Sequence, residues 1–112
     1  MKIRVGSGNK KIKIDVRRGN KLIGLMFKGR ENDILLFEFD KEGIYPIHSF
    51  FVFFSFLALW LDKNNNLIDK RIVKPFELYI RPKKPFRKLI EIPFNDKNKK
   101  IVDFLVGKER FK

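Results

Sequence analysis

The run from Ile47 to Leu61, Ile-His-Ser-Phe-Phe-Val-Phe-Phe-Ser-Phe-Leu-Ala-Leu-Trp-Leu, carries no charged side chain, and any fold of this chain has to hide it. Its length rules out the simplest hiding place. As a helix the run would reach about 22 Å, against a hydrocarbon core of about 30 Å, so it is too short to cross a bilayer. The residues are aromatic and β-branched types that suit a pleated surface, and Ser55 divides them into two halves, which predicts two buried strands. Phe51 and Phe53 would then face one way and Phe50, Val52 and Phe54 the other. Both sets are apolar, so neither face can stand in water without exposing a large patch. The fold expected is mainly β, a β-rich α+β class: a small curled antiparallel sheet or barrel with one or two short helices. The outer face would lie under a helix or a second protomer. A buried helical hairpin is the competing arrangement, because periodicity alone does not separate short apolar runs.

At 112 residues the chain is expected to be a single domain, 1–112, large enough to bury a core without cross-links. It has no cysteine, which excludes disulfides, thiol nucleophiles and cysteine-ligated metal, and suits a reducing compartment. The first ten residues lack the apolar core of a signal peptide, so a cytoplasmic location is expected. The formal net charge of +13 admits polyanions as partners, though the cations are spread along the whole sequence and a merely basic surface is the favoured explanation.

Along the chain, Lys2 to Val5 and Lys11 to Val16 alternate charged with β-branched residues around the turn Gly6-Ser7-Gly8-Asn9, which predicts a half-exposed hairpin. The turn lacks the glycine spacing and following helix of a phosphate-cradling loop. Arg17 to Met26 places Leu22, Leu25 and Met26 at helical spacing behind a capping Asn20, predicting a short helix or a single turn. Lys28 to Asp33 reads as a polar loop, Ile34 to Phe39 as a strand and Lys41-Glu42-Gly43 as a turn. Asp62 to Asn66 imitates the start of a calcium loop but has Leu67 where glycine is required and Val73 where the bidentate glutamate is required, so it reads as a hairpin turn into a strand, Leu67 to Val73. Phe76 to Arg81 is a short strand or extended loop, and Arg87 to Ile92 alternates again up to Pro93. Asn95-Asp96 caps a last helix with Ile101, Phe104 and Leu105 on one side and Gly107 at its end.

Reactive chemistry is sparse. His48 is the single histidine. On a strand its neighbour Ser49 would point to the opposite face, which defeats a base–nucleophile pair. Metal binding and carboxylate-pair hydrolysis need converging groups that the pattern does not supply. Glu38, Asp40, Asp62 and Glu91 read as strand ends and solvated faces. No metal or cofactor is expected, and no enzymatic activity. The most suggestive polar cluster is Arg81-Pro82-Lys83-Lys84-Pro85-Phe86-Arg87-Lys88, in which Arg81, Lys83, Lys84, Arg87 and Lys88 could grip phosphates while Phe86 stacks on a base. The same composition also protects an exposed sheet edge.

Several segments together are similar to the domain-of-unknown-function 192 family, small and mostly β proteins. They are Gly24-Leu25-Met26-Phe27, Leu36-Phe37 with Phe39, Ile47-His48-Ser49-Phe50-Phe51, Trp60-Leu61-Asp62 through Leu67-Ile68, Pro75-Phe76, and Leu89-Ile90-Glu91-Ile92-Pro93. They occur in the family's order and cover about Val16 to Gly107. The resemblance implies a curled β barrel with short helices near the two ends and no established activity. Similar members usually carry a basic residue where Phe53 stands, a proline at Ser55 and an acidic residue at Leu57. Those polar groups are replaced here, while His48 is kept. Three functions follow as expectations. The first is a non-catalytic binding module for an unidentified compact ligand, through His48 and the barrel mouth. The second is nucleic-acid or other polyanion binding through the basic cluster. The third is a structural or subunit-interaction protein, a homo-oligomer joined through its outer aromatic face.

Overall fold

The stretches that alternate charged with β-branched residues do pair. In the computed structural model, which describes residues 1–21 and 24–107, β1 (Lys2–Ser7) and β2 (Lys10–Asp15) form an antiparallel hairpin. Gly8 opens its tight turn at φ 64°, a left-handed value that glycine adopts without steric strain. A second sheet contains β3 (Arg17–Arg18), β4 (Leu35–Gly43), β5 (Phe56–Leu61), β6 (Leu67–Val73) and β7 (Phe86–Pro93), in the spatial order β3-β4-β7-β5-β6. Its pairings are antiparallel except for the short β3–β4 contact. The mainly β class is as expected, but the barrel does not close. β3 and β6 remain edges, and the hairpin is a separate sheet bridged to the larger one at Gly6 and Asn66. A two-residue edge strand offers too short a ladder for closure.

β5 lies between β6 and β7, and all six of its residues are buried. Leu57, Leu59 and Leu61 turn to one face, where the hairpin's Val5 and Ile14 cover them together with Val102 and Leu105. Phe56, Ala58 and Trp60 turn to the other, against Phe37, Phe54, Ile80 and Phe86. The second half of the uncharged run is therefore a strand buried front and back. Val102 and Leu105 belong to α1 (Lys99–Val106), which continues a short 3-10 turn, Asp96–Asn98. Asn95 caps that turn, its Oδ1 accepting from the Asn98 N–H at 3.0 Å, and Gly107 at φ 94° ends the helix. Phe104, expected on the packed side, is 47% exposed, because it lies about 200° around the helix from Val102.

Two other expectations are corrected and a third is narrowed. Between Arg17 and Met26 the described residues form no helix but do turn, as the alternative expectation had it, the Gly24 N–H donating to the Asn20 carbonyl at 2.7 Å. Arg17–Arg18 pairs with Leu35–Leu36, and positive φ at Gly24 (55°) and Phe27 (61°) breaks any helical path; Leu22 lies outside the described residues. Lys41 to Gly43 is not a turn but the end of β4, which reaches Gly43 through a register shift after Glu38. The first half of the uncharged run, up to Ser55, is not a paired strand. It is a loop with a turn at Phe50–Phe51 that buries Val52 and Phe54 while leaving Phe50, Phe51 and Phe53 exposed. Alternation holds from Phe51 to Phe54, but the outer side is uncovered.

That loop is tied to its neighbours through the backbone. Ile47 and Ile80 exchange two hydrogen bonds of 2.7 Å, and the Phe27 N–H donates to the Phe51 carbonyl at 2.9 Å. Ser49 is the buried knot. Its Oγ accepts from the Glu77 N–H and donates to the Lys74 carbonyl, both at 2.6 Å, while its carbonyl accepts from the Phe76 N–H at 2.9 Å. Ser49→Ala leaves two part-buried backbone groups without their side-chain partner, and urea unfolding should show a loss of about 1–2 kcal/mol.

Candidate ligand pocket

Under this layer of loops lies Glu91, which the sequence pattern places among solvated carboxylates and the structure places in the core. It stands on β7 opposite Leu35 of β4 and Ala58 of β5. Two residues from Leu89, it turns to the same covered face, and it is only 5% exposed. Its Oε1 has no hydrogen-bond partner among the described residues. Desolvation by burial pushes the carboxyl pKa up to about 8, so at neutral pH Glu91 is chiefly a protonated acid, at once donor and acceptor.

A cavity of about 140 Å³ opens beside it. Leu89, Phe37 and Phe56 supply apolar walls, and Lys21, Tyr45 and His48 stand at the more exposed end. Gly24 lies against the acid, a Cβ there standing 3.5 Å from Glu91 Oε1 in ordinary contact, and its φ of 55° is what favours glycine at this position. The Tyr45 ring stacks on Phe39 at 4.4 Å, and its hydroxyl donates to the Lys41 carbonyl at 2.8 Å. Lys21 places its Nζ 4.6 Å over the Phe39 ring. His48 Nδ1 accepts from the Phe50 N–H at 3.2 Å, which assigns its ring proton to Nε2. Ser49 faces away from His48 into its backbone bonds, so the two form no catalytic pair.

The arrangement is suited to holding a small molecule. Its walls are apolar, one unpaired buried polar group fixes orientation, and the mouth is polar. Among the described residues no cluster of three or more histidine or acidic side chains could hold a metal. A larger cleft of about 490 Å³ lies between the amino terminus and the 3-10 turn. Its charges are engaged with one another, Arg17 with Asp33 and the terminal amine with Asp15, each at 3.3 Å, so it offers no comparable unpaired group.

The basic cluster is dispersed. Phe86 is fully buried, in edge-to-face contact with Phe39 and Tyr45 at 5.4 and 5.7 Å, so it does not stack on a base. Arg87 donates through Nε to the Phe39 carbonyl at 2.5 Å, and Lys88 donates to Asn65 Oδ1 at 2.6 Å. Arg81 lies over the Tyr79 ring at 5.6 Å, leaving Lys83 and Lys84 as the exposed pair at the centre of the segment. Of the residues the sequence nominated, His48 alone lines the pocket. Glu91 was missed, because its alternation with Ile90 and Ile92 reads as the solvated face of a strand.

No family model matches the chain, and neither does any curated protein. Two solved structures share the fold. One is a protein of unknown function from Novosphingobium aromaticivorans DSM 12444, with a TM-score of 0.66 and 13% identity over 89% of this chain and 76% of that one. The other is a candidate transcription regulator from Sinorhizobium meliloti 1021, with a TM-score of 0.67 and 13% identity over 88% of this chain and 81% of that one. At such identity the likeness concerns the fold alone. No helix among the described residues is long and apolar enough to cross a membrane.

Proposed function

We propose that this chain is a non-catalytic binding module, a diverged member of the domain-of-unknown-function 192 family, that holds a compact and largely apolar molecule through one neutral polar group of the carboxamide kind. The observation that carries this reading is Glu91, a buried acid with one carboxyl oxygen unpartnered, in the lining of a small and largely apolar cavity. The cavity approaches the volume that holds a benzene-sized molecule, about 150 Å³. A protonated carboxyl pairs best with a group that both donates and accepts, and a carboxamide does so in one plane. A cationic ligand is disfavoured by the net charge of +13 and by Lys21 at the mouth. The cysteine-free composition suits a reducing compartment, and the module is placed in the cytoplasm on that ground.

Titration with isobutyramide, followed by amide chemical shifts, tests this. Shifts should move at Ala58, Leu89 and Glu91, with a Kd on the order of 1 mM, and saturation should weaken above about pH 8 as Glu91 loses its donor. Glu91→Gln should bind without that pH dependence, whereas Glu91→Leu should not bind. Shifts confined to other faces of the protein, or binding undiminished in Glu91→Leu, would remove the pocket from consideration.

A further inference from the structure

Beyond the pocket, the outer side of the loop layer is the largest unexplained feature. Five phenylalanine rings stand in solvent there: Phe27 at 70% exposure, Phe53 at 61%, Phe51 and Phe76 at 45%, and Phe50 at 41%. They form one patch. Phe27 stacks on Phe51 at 4.9 Å, Phe53 meets Phe76 at 5.3 Å, and Phe51 meets Phe76 at 6.0 Å. Phe27, Phe51 and Phe76 take φ between 56° and 61°, a region bulky side chains rarely occupy, and the backbone bonds to Phe51 and Ser49 described above hold them there. Strain of this kind, held by surrounding structure, is characteristic of functional surfaces.

The charges around the patch are mainly positive. The three loops that build it, residues 24–30, 44–55 and 74–81, contain a single carboxylate, Glu77. That carboxylate is neutralised by Arg71 at 2.7 Å and accepts from the Lys74 N–H at 2.6 Å. Lys28 follows Phe27 in sequence, Lys74 precedes the Pro75-Phe76 corner, and Arg81 lies over Tyr79, itself exposed. We propose that this face docks on an anionic lipid surface, with the phenylalanine rings entering the headgroup–acyl boundary and the flanking cations meeting lipid phosphates and carboxylates.

Charge favours a lipid surface over a second copy of the chain. With about 200 Å² per ring, the five rings alone offer on the order of 500 Å² of apolar surface, large for a monomer. A two-fold contact would press the same cations against themselves. An anionic bilayer accepts the rings and the cations together.

The test is flotation of the protein with vesicles of phosphatidylcholine, alone or with about one-third phosphatidylserine. The intact protein should partition onto the phosphatidylserine vesicles and much less onto phosphatidylcholine alone. The double variant Phe27→Asn, Phe53→Ser keeps the net charge, and asparagine tolerates the left-handed backbone at position 27. Folded by circular dichroism, it should bind at least about tenfold more weakly. Three results would overturn lipid docking: no partition onto anionic vesicles, binding undiminished in the double variant, which would assign adsorption to charge alone, or a dimer in sedimentation velocity that the same variant dissociates.

Discussion

Glu91→Gln should make the protein markedly more stable at alkaline pH while changing little in acid. Burial raises the Glu91 pKa from 4.5 to about 8, so between those values the folded state holds a proton that the unfolded state has released. Stability must therefore fall as pH rises through that window: the contribution is fully present below about pH 4.5 and lost above about pH 8. At 1.36 kcal/mol per pKa unit, the window corresponds to a loss on the order of 5 kcal/mol. Glutamine keeps the size and polarity of the protonated acid without an ionisable proton. Urea midpoints of the two proteins, measured from pH 4.5 to 9, should start together and diverge in favour of the variant. Parallel curves would mean that Glu91 ionises in the fold as easily as in water, and the case for a neutral carboxyl at the pocket floor would fail with them.

Where local pattern and tertiary packing agree, the fold was legible in the sequence. The hairpin of β1 and β2, the strands Leu67–Val73 and Phe86–Pro93, and the capped helix ending at Gly107 all carry their own period and punctuation, and each forms close to the expected bounds. Leu57, Leu59 and Leu61 on one side and Phe56, Ala58 and Trp60 on the other bear out the expectation of a strand covered front and back.

Local pattern misleads where a long-range contact decides. Phe86 sits between a proline and two cations, which reads as surface, but the register shift opposite Gly43 turns its ring into the core. Glu91 alternates with Ile90 and Ile92, which reads as the wet face of a strand. β7 is central, however, with β4 on one side and β5 on the other, and both of its faces are roofed. The loop from Ile44 to Ser55 has strand-forming residues throughout and almost no strand pairing. Its hydrogen bonds go instead to other loops through Ile47, Ser49 and Phe51, and no periodicity encodes those partners. The candidate site was least legible for that reason: each of its walls belongs to a different segment, and one buried carboxyl is its main chemical signal.

Phe56→Ala and Phe53→Ala should separate the two halves of the uncharged run by several kcal/mol, although the residues are three positions apart and chemically the same. Phe56 is 1% exposed within the cluster that includes Trp60 and Phe86, so truncating it removes transfer energy and leaves a cavity, costing about 3–5 kcal/mol. Phe53 is 61% exposed, with a single ring neighbour in Phe76, and its truncation should cost less than about 1 kcal/mol. The same contrast applies to Phe51, whose place in a strand buried on both faces would have made it a core ring and which the structure puts outside. Chemical denaturation of the two single variants measures both figures directly. If Phe53→Ala lost as much stability as Phe56→Ala in the isolated chain, the outer rings would be structural, and lipid docking would lose its premise that they stand free. Should Phe53→Ala leave stability intact and still weaken vesicle binding, the exposed half of the run would be retained for its surface and the buried half for the fold.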